Sequence, residues 1–175
     1  FIYAKYLYVF AYKFENDVFY QAKVHCAKAS NLLIASKNSL HDDIDILYAI
    51  LLRYEGKLND SVELLKKVLD NQLKHLVPDK TCQTALELGA IYRELTRFDD
   101  AMTVYEKIEN TCNLSAYWNA RLKLNTGIIL KNRLQLRISE GNVSFSDYEN
   151  YKKNLKNFLN LFTIMPKHVT MFCCS

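Results

Sequence analysis

The sequence predicts an all-α chain, a solenoid of about four helical hairpins. Three observations lead there. A phrase of alternating small and large residues recurs about every forty positions, and helical hydrophobic spacing runs nearly from end to end. Gly and Pro number only four and two in 175 residues, which leaves little for sheet turns or flexible linkers. The clearest copy of the phrase is Ala85-x-x-Leu88-Gly89-x-x-Tyr92, then Arg97-Phe98, then Ala101-x-x-x-Tyr105-x-x-Ile108. A two-helix unit of that size cannot bury its apolar face alone, so it must stack on neighbours.

Taken in order, residues 1–14 are Tyr-rich and read as a first helix. Lys5, Lys13 and the lack of a small-residue cleavage site make them a poor signal peptide. Residues 45–54 are too long and too evenly apolar for a half-exposed strand, and Glu55-Gly56 stops them as a helix. Leu58-Asn59-Asp60-Ser61 offers an N-cap ahead of Val62, Leu65, Val68 and Leu69, which follow at three- and four-residue steps. Pro78 makes Leu76-Val77-Pro78-Asp79 a turn, because the residue before a proline disfavours helical geometry. A helix through Tyr92 gives way at Thr96-Arg97-Phe98, and Asp99 or Asp100 caps the next one. Ser115 caps a helix running to about Ile138, and Ser139-Glu140-Gly141-Asn142 is a loop. Ser146-x-x-Glu149 then reads as a capping box for a last helix to about Phe162, closed off by Pro166.

Aligning Phe10, Ala49, Gly89 and Gly127 gives spacings of 39, 40 and 38 residues. That period implies a repeat array over 1–163, with units of about 1–36, 37–76, 77–114 and 115–163, and a tail over 164–175. Phe1 in place of an initiator Met predicts a fragment or a processed chain.

Composition narrows the function classes. Half the residues are hydrophobic and 24% charged, a globular balance rather than a disordered one. No apolar run approaches the roughly twenty residues of a membrane span. Cys26, Cys82, Cys112, Cys173 and Cys174 are odd in number and scattered, as reduced thiols of an intracellular protein (cytoplasm or nucleus) would be. Sequons at Asn59, Asn113 and Asn142 fall within what an Asn-rich chain supplies by chance. From Arg121 onward nine Lys/Arg face three Asp/Glu, so the +4 net charge is concentrated in the C-terminal third.

No Gly-rich loop, nucleotide-binding lysine motif or nucleophile elbow is present, so no enzyme activity and no cofactor are expected. His25-Cys26 is the sole His/Cys adjacency, and neighbouring helical residues point apart, so no metal site is expected. The acidic runs Asp42-Asp43-x-Asp45 and Asp99-Asp100 sit at expected helix starts, where carboxylates favour the positive end of the macrodipole. Tyr92 and Tyr105 read as core. Trp118 and Tyr117 read as interhelix packing, with an exposed anchor as the other possibility.

At these residues the chain resembles a tetratricopeptide repeat (TPR) protein of the long-period type. Leu88, Gly89, Tyr92, Phe98, Ala101 and Tyr105 fall at signature positions, and Ala85 stands where the motif usually has Trp. The second unit matches through Tyr48, Ala49, Gly56 and Leu58, with Ser61 in place of an Ala. In the first unit Ala22 and Ala29 fit and Phe10 is large for its slot; the fourth keeps Gly127.

The resemblance implies a right-handed solenoid whose first helices line a concave groove. Carried over by position, the groove rows are Leu7, Ile46, Leu86 and Leu124; then Ala11, Ile50, Ala90 and Ile128; then Phe14, Arg53, Arg93 and Lys131; and last Ala4, Asp43, Gln83 and Arg121. An apolar floor with a basic ladder suits a segment carrying apolar anchors and acidic residues. The family's chaperone carboxylate clamp is excluded, because its positions hold Leu7, Ala11, Leu47, Gln83 and Glu87.

The expected function is a non-enzymatic scaffold that binds a peptide or helix of a partner protein, within a multiprotein complex. A peptide-sensing regulator of the same family is the alternative. So is a nucleic-acid module built on Arg121, Lys123, Lys131, Arg133, Arg137, Lys152, Lys153 and Lys156, although +6 supplies only weak non-specific attraction. Self-association, or a groove filled by the chain's own segments, is a further outcome.

Overall fold

A computed structural model describes residues 16–33, 39–75 and 77–164. Among them are seven helices and no strand: α1 (Asn16–Leu33), α2 (Ser39–Tyr54), α3 (Leu58–His75), α4 (Pro78–Glu94), α5 (Phe98–Thr111), α6 (Ala116–Ser139) and α7 (Phe145–Ile164). The all-α expectation is met. The chain divides into two compact units, Phe1–His75 and Leu76–Ser175, each with its own core. The expected first helix at 1–14, with Ala4, Leu7, Phe10, Ala11 and Phe14, lies outside the described residues. So do Pro166 and the tail with Cys173 and Cys174.

In the first unit α2 packs on both α1 and α3. Ile44, Leu47 and Leu51 recur at helical spacing along α2, and Val62, Leu65 and Leu69 do so along α3; all are buried. Ser61 explains itself here. Its side chain is fully buried, and its hydroxyl donates to the Ala49 carbonyl across the hairpin at 2.6 Å. A serine in an alanine slot must place its donor somewhere, and the facing backbone takes it. From α1, Lys23 reaches Glu55 at the end of α2, 2.7 Å away.

In the second unit α4, α5 and α6 are mutually packed, and α7 packs on α6. Cys82, Ala85, Leu88 and Tyr92 form the buried stripe of α4, and Ala101, Tyr105 and Ile108 that of α5. Gly89 is required at its position. A Cβ there would lie 2.5 Å from the Tyr105 Cε1 and closer still to its hydroxyl, so the α5 ring lies directly on the α4 backbone.

One device ends three helices. At α2, Gly56 N–H donates to Arg53 O and Lys57 N–H to Leu52 O, at 3.0 and 2.9 Å, with Gly56 at φ 76°. At α4, Thr96 N–H donates to Arg93 O and Arg97 N–H to Tyr92 O, at 3.1 and 2.8 Å, with Thr96 at φ 57°. At α6, Gly141 N–H donates to Ile138 O and Asn142 N–H to Arg137 O, with Gly141 at φ 72°. These paired bonds are the Schellman closure, which satisfies carbonyls left open at a helix end and needs one left-handed residue. Thr96 fills that place without the freedom of glycine.

Three expectations about caps are corrected, and a fourth, Ser115, is met in position. Helix α3 begins at Leu58, earlier than the Asn59-Asp60-Ser61 cap would allow, so Asp60 stands in its first turn. Helix α5 begins at Phe98, with Arg97 as its cap residue and Asp99 and Asp100 both inside the first turn. There their charges face the positive end of the helix, and Arg97 Nε holds Asp100 at 2.6 Å. Ser115 does occupy the N-cap of α6 but makes no side-chain capping bond. The capping box of α7 is Ser144 with Asp147, not Ser146 with Glu149. Ser144 N–H donates to Asp147 Oδ2 at 3.2 Å, and Asp147 N–H to Ser144 Oγ at 3.3 Å. Helices α6 and α7 run one and two residues beyond their expected ends.

Candidate functional site

The expected groove residues fall on α2, α4 and α6, at steps of four and three on each helix, so each set shares a face. On α2, Ile46 is 7% exposed while Ile50 and Arg53 are half-buried, and Arg53 already has an interaction of its own. On α4, Leu86 is likewise 7% exposed, with Ala90 and Arg93 half-buried. Ile46 and Leu86 therefore offer little surface and belong mostly to the helix packing.

On α6 the same face is open. Leu124 is 44% exposed, Ile128 half-buried and Lys131 exposed, with no partner for Lys131 among the described residues. The stripe is longer than the expected rows. Tyr117, Arg121, Leu124, Ile128, Lys131, Gln135 and Ile138 follow one another by four and three residues over six turns. That is the spacing by which one helix presents a seam to another. Tyr117, Leu124 and Ile138 all lie exposed on it, although α6 already packs on α4, α5 and α7. Tyr117, Gln135 and Ile138 were missed as seam positions, yet their alternate four-and-three spacing is visible in the sequence.

The head of the seam is a cation–aromatic cluster. The Arg121 guanidinium lies 5.8 Å from the Tyr117 ring centre and 5.4 Å from that of Trp118, and Nη1 donates to the Tyr117 hydroxyl at 3.1 Å. The two rings meet edge-on at 5.2 Å. Trp118 is the packed member, with its carbonyl accepting from the Cys82 thiol at 3.8 Å, and Tyr117 is the outward one. Cys82 is fully buried, and burial pushes its thiol up to about 12. Burial likewise raises the Cys26 thiol, to about 11, so both stay protonated at neutral pH.

Much of the basic C-terminal third is neutralised locally. Lys123 pairs with Glu109, Arg133 with Asp99 at 2.9 Å, Arg137 with Asp147 at 2.6 Å and Lys152 with Glu149 at 3.7 Å. The acidic run on α2 is also engaged, Asp42 accepting from Asn71 at 3.0 Å and Asp45 facing His41 at 3.2 Å. Among the described residues no group of three or more His, Cys, Asp or Glu is placed to hold a metal ion. No described helix is long and apolar enough to cross a membrane.

No protein-family model matches the chain, and no curated protein does. Among solved structures, it is similar to the crystal structure of nearly identical TPR-like repeats of a candidate kinesin light chain from Podosopora anserina. The identity is 12%, over 90% of this chain and 92% of that one, with a TM-score of 0.55. The likeness at that identity is one of fold: a TPR-like helical repeat.

Proposed function

We propose that the chain is a non-enzymatic interaction scaffold that takes a helix or peptide of a partner protein on the faces of its first helices. The observation that carries the reading is the α6 seam. A helix already packed by three others still turns Tyr117, Leu124 and Ile138 to solvent, with Arg121 and Lys131 interspersed. Exposed apolar side chains at helical spacing gain by burial against a facing apolar stripe, and the interspersed cations favour one flanked by acids. Within the second unit Arg93 adds charge on α4, and Ala90 and Ile128 are accessible apolar positions; Arg53 and Ile50 hold the corresponding repeat positions on α2 of the first unit.

The nucleic-acid alternative has less support, since four of its eight cations already meet carboxylates. The test is affinity capture of partners with the natural chain and with Arg53, Arg93 and Lys131 all changed to Glu. Loss of a specific protein partner, restored by a compensating acid-to-base change in that partner, is the expected result. Unchanged recovery by the triple variant sinks the groove reading.

A further inference from the structure

A second site lies away from the seam, within the second unit. Helices α5, α6 and α7 enclose an open cleft of about 450 Å3, within the range of ligand sites. One wall is α5, with Glu106 and Met102, and the floor is α6, with Leu130 and the Asp99-bound Arg133. The other wall is a row of amides on α7: Asn150, Asn154 and Asn157, with Lys153 beside them. Glu106, Asn150, Lys153 and Asn157 have no side-chain hydrogen bond or ion pair among the described residues.

Asn154 is the sharper anomaly. Its Oδ1 is fully covered and has no hydrogen-bond partner among the described residues. It lies against Gly127, where a Cβ would come within 3.1 Å of it, so the missing side chain of α6 gives this carboxamide its place. A buried acceptor left unpaired costs about 1–3 kcal/mol. That oxygen is turned away under cover, so the part of Asn154 left to line the cleft is its amide NH2, a donor.

We infer that this cleft binds the main chain of an extended peptide segment, held by the carboxamides of Asn150 and Asn157 and by the Asn154 NH2 between them. Carboxamides both donate and accept, as a peptide backbone does. The rise from Asn150 to Asn154 along the helix is about 6 Å, close to the roughly 6.7 Å over which an extended chain repeats the same face. No aromatic residue lines the cleft to stack a base or a sugar ring. Its free charges, Glu106 and Lys153, are one of each sign, which gives no preference for a polyanion. Met102 and Leu130 provide apolar surface for a side chain of the segment.

The test is a 15N-correlation NMR titration of the full chain with a pool of acetylated, amidated hexapeptides of alternating Thr and Val. A matched pool carries N-methyl groups on alternate backbone amides. The Asn150 and Asn157 side-chain NH2 signals, assigned from single Ala variants, should shift saturably with the first pool. The N-methyl pool, and the double variant N150A/N157A with the first pool, should bind roughly fivefold or more weakly, the loss of about one hydrogen bond. R93E/K131E should leave the response unchanged, which separates this cleft from the seam. Absence of localised shifts at about 5 mM peptide, too weak for a specific site, would overturn the inference, as would equal response to both pools. Concentration-dependent shifts without peptide, abolished in N150A/N157A, would instead assign the cleft to a second copy of the chain.

Discussion

The Tyr105 ring occupies the space in which a side chain at Gly89 would stand. Forty residues upstream, the equivalent positions hold Ala49 and Leu65, both fully buried. By repeat register the two hairpins thus hold complementary combinations in their cores, glycine with a large ring in one and alanine with a smaller branched chain in the other. Small and large side chains trade volume across a contact that interior packing density leaves no room to relax.

Gly89→Ala is therefore expected to destabilise the second unit. Alanine favours helix over glycine by about 1 kcal/mol, but overpacking against a fixed ring costs about 1–3 kcal/mol, so the net effect is a modest loss. Gly89→Ala with Tyr105→Leu places the residue types of the first hairpin, Ala49 and Leu65, at the equivalent positions and should recover part of it. A double-mutant cycle in urea measures the coupling. Additive effects of the two changes would show that the ring and the glycine are independent.

Thr96 holds the left-handed position that Gly56 and Gly141 hold in the other two Schellman closures. A left-handed residue with a branched Cβ costs about 1–2 kcal/mol, and glycine returns somewhat less than that after its larger unfolded-state entropy. Among the described residues the Thr96 hydroxyl bonds only its neighbour, the Leu95 carbonyl, at 2.7 Å. Thr96→Gly should thus raise stability by about 0.5–1 kcal/mol, read as a higher urea midpoint with an unchanged slope. A lower midpoint would mean that the Thr96 side chain stabilises the turn more than its backbone strains it.

The repeat made Gly89, Tyr105, Ala101 and Gly56 legible, because each sits where small and large residues alternate at a fixed period. Thr96 was not legible in the same way. Local preference argues against a β-branched left-handed residue, and only the hydrogen bonds of the α4 closure impose it. The start of α7 was misread because Ser146-x-x-Glu149 fits a capping box as well as Ser144-x-x-Asp147 does. What decides between them is Arg137, ten residues upstream on α6, and sequence spacing does not reveal which carboxylate it meets. The seam was half legible: Leu124, Ile128 and Lys131 came from the repeat register, but Tyr117 and Ile138 required following one helix past its repeat unit. The amides of α7 gave no signal, since asparagines at three- and four-residue steps look like any solvated helix face until α5 and α6 stand opposite.

The Arg137–Asp147 pair carries the last prediction. Both Asp147 oxygens accept from Arg137 Nη1 at 2.6 Å, and Oδ2 also accepts from the Ser144 hydroxyl at 2.8 Å. The Arg137 bond, then the Ser144 bond, hold the carboxyl down to about 2, below its ordinary value of 3.8. A carboxyl depressed in the folded state binds fewer protons there than in the unfolded chain, so its contribution is complete above the ordinary value and disappears as pH falls through the depressed one. Asp147→Asn keeps an acceptor for Ser144 and removes the charge. The melting temperature of this variant should lie below that of the natural chain by a constant margin above about pH 5. The margin should narrow between about pH 4 and pH 2, where the natural carboxyl takes up its proton. A margin that persists unchanged to about pH 2 would place the stabilisation in the shape of the cap rather than in its charge.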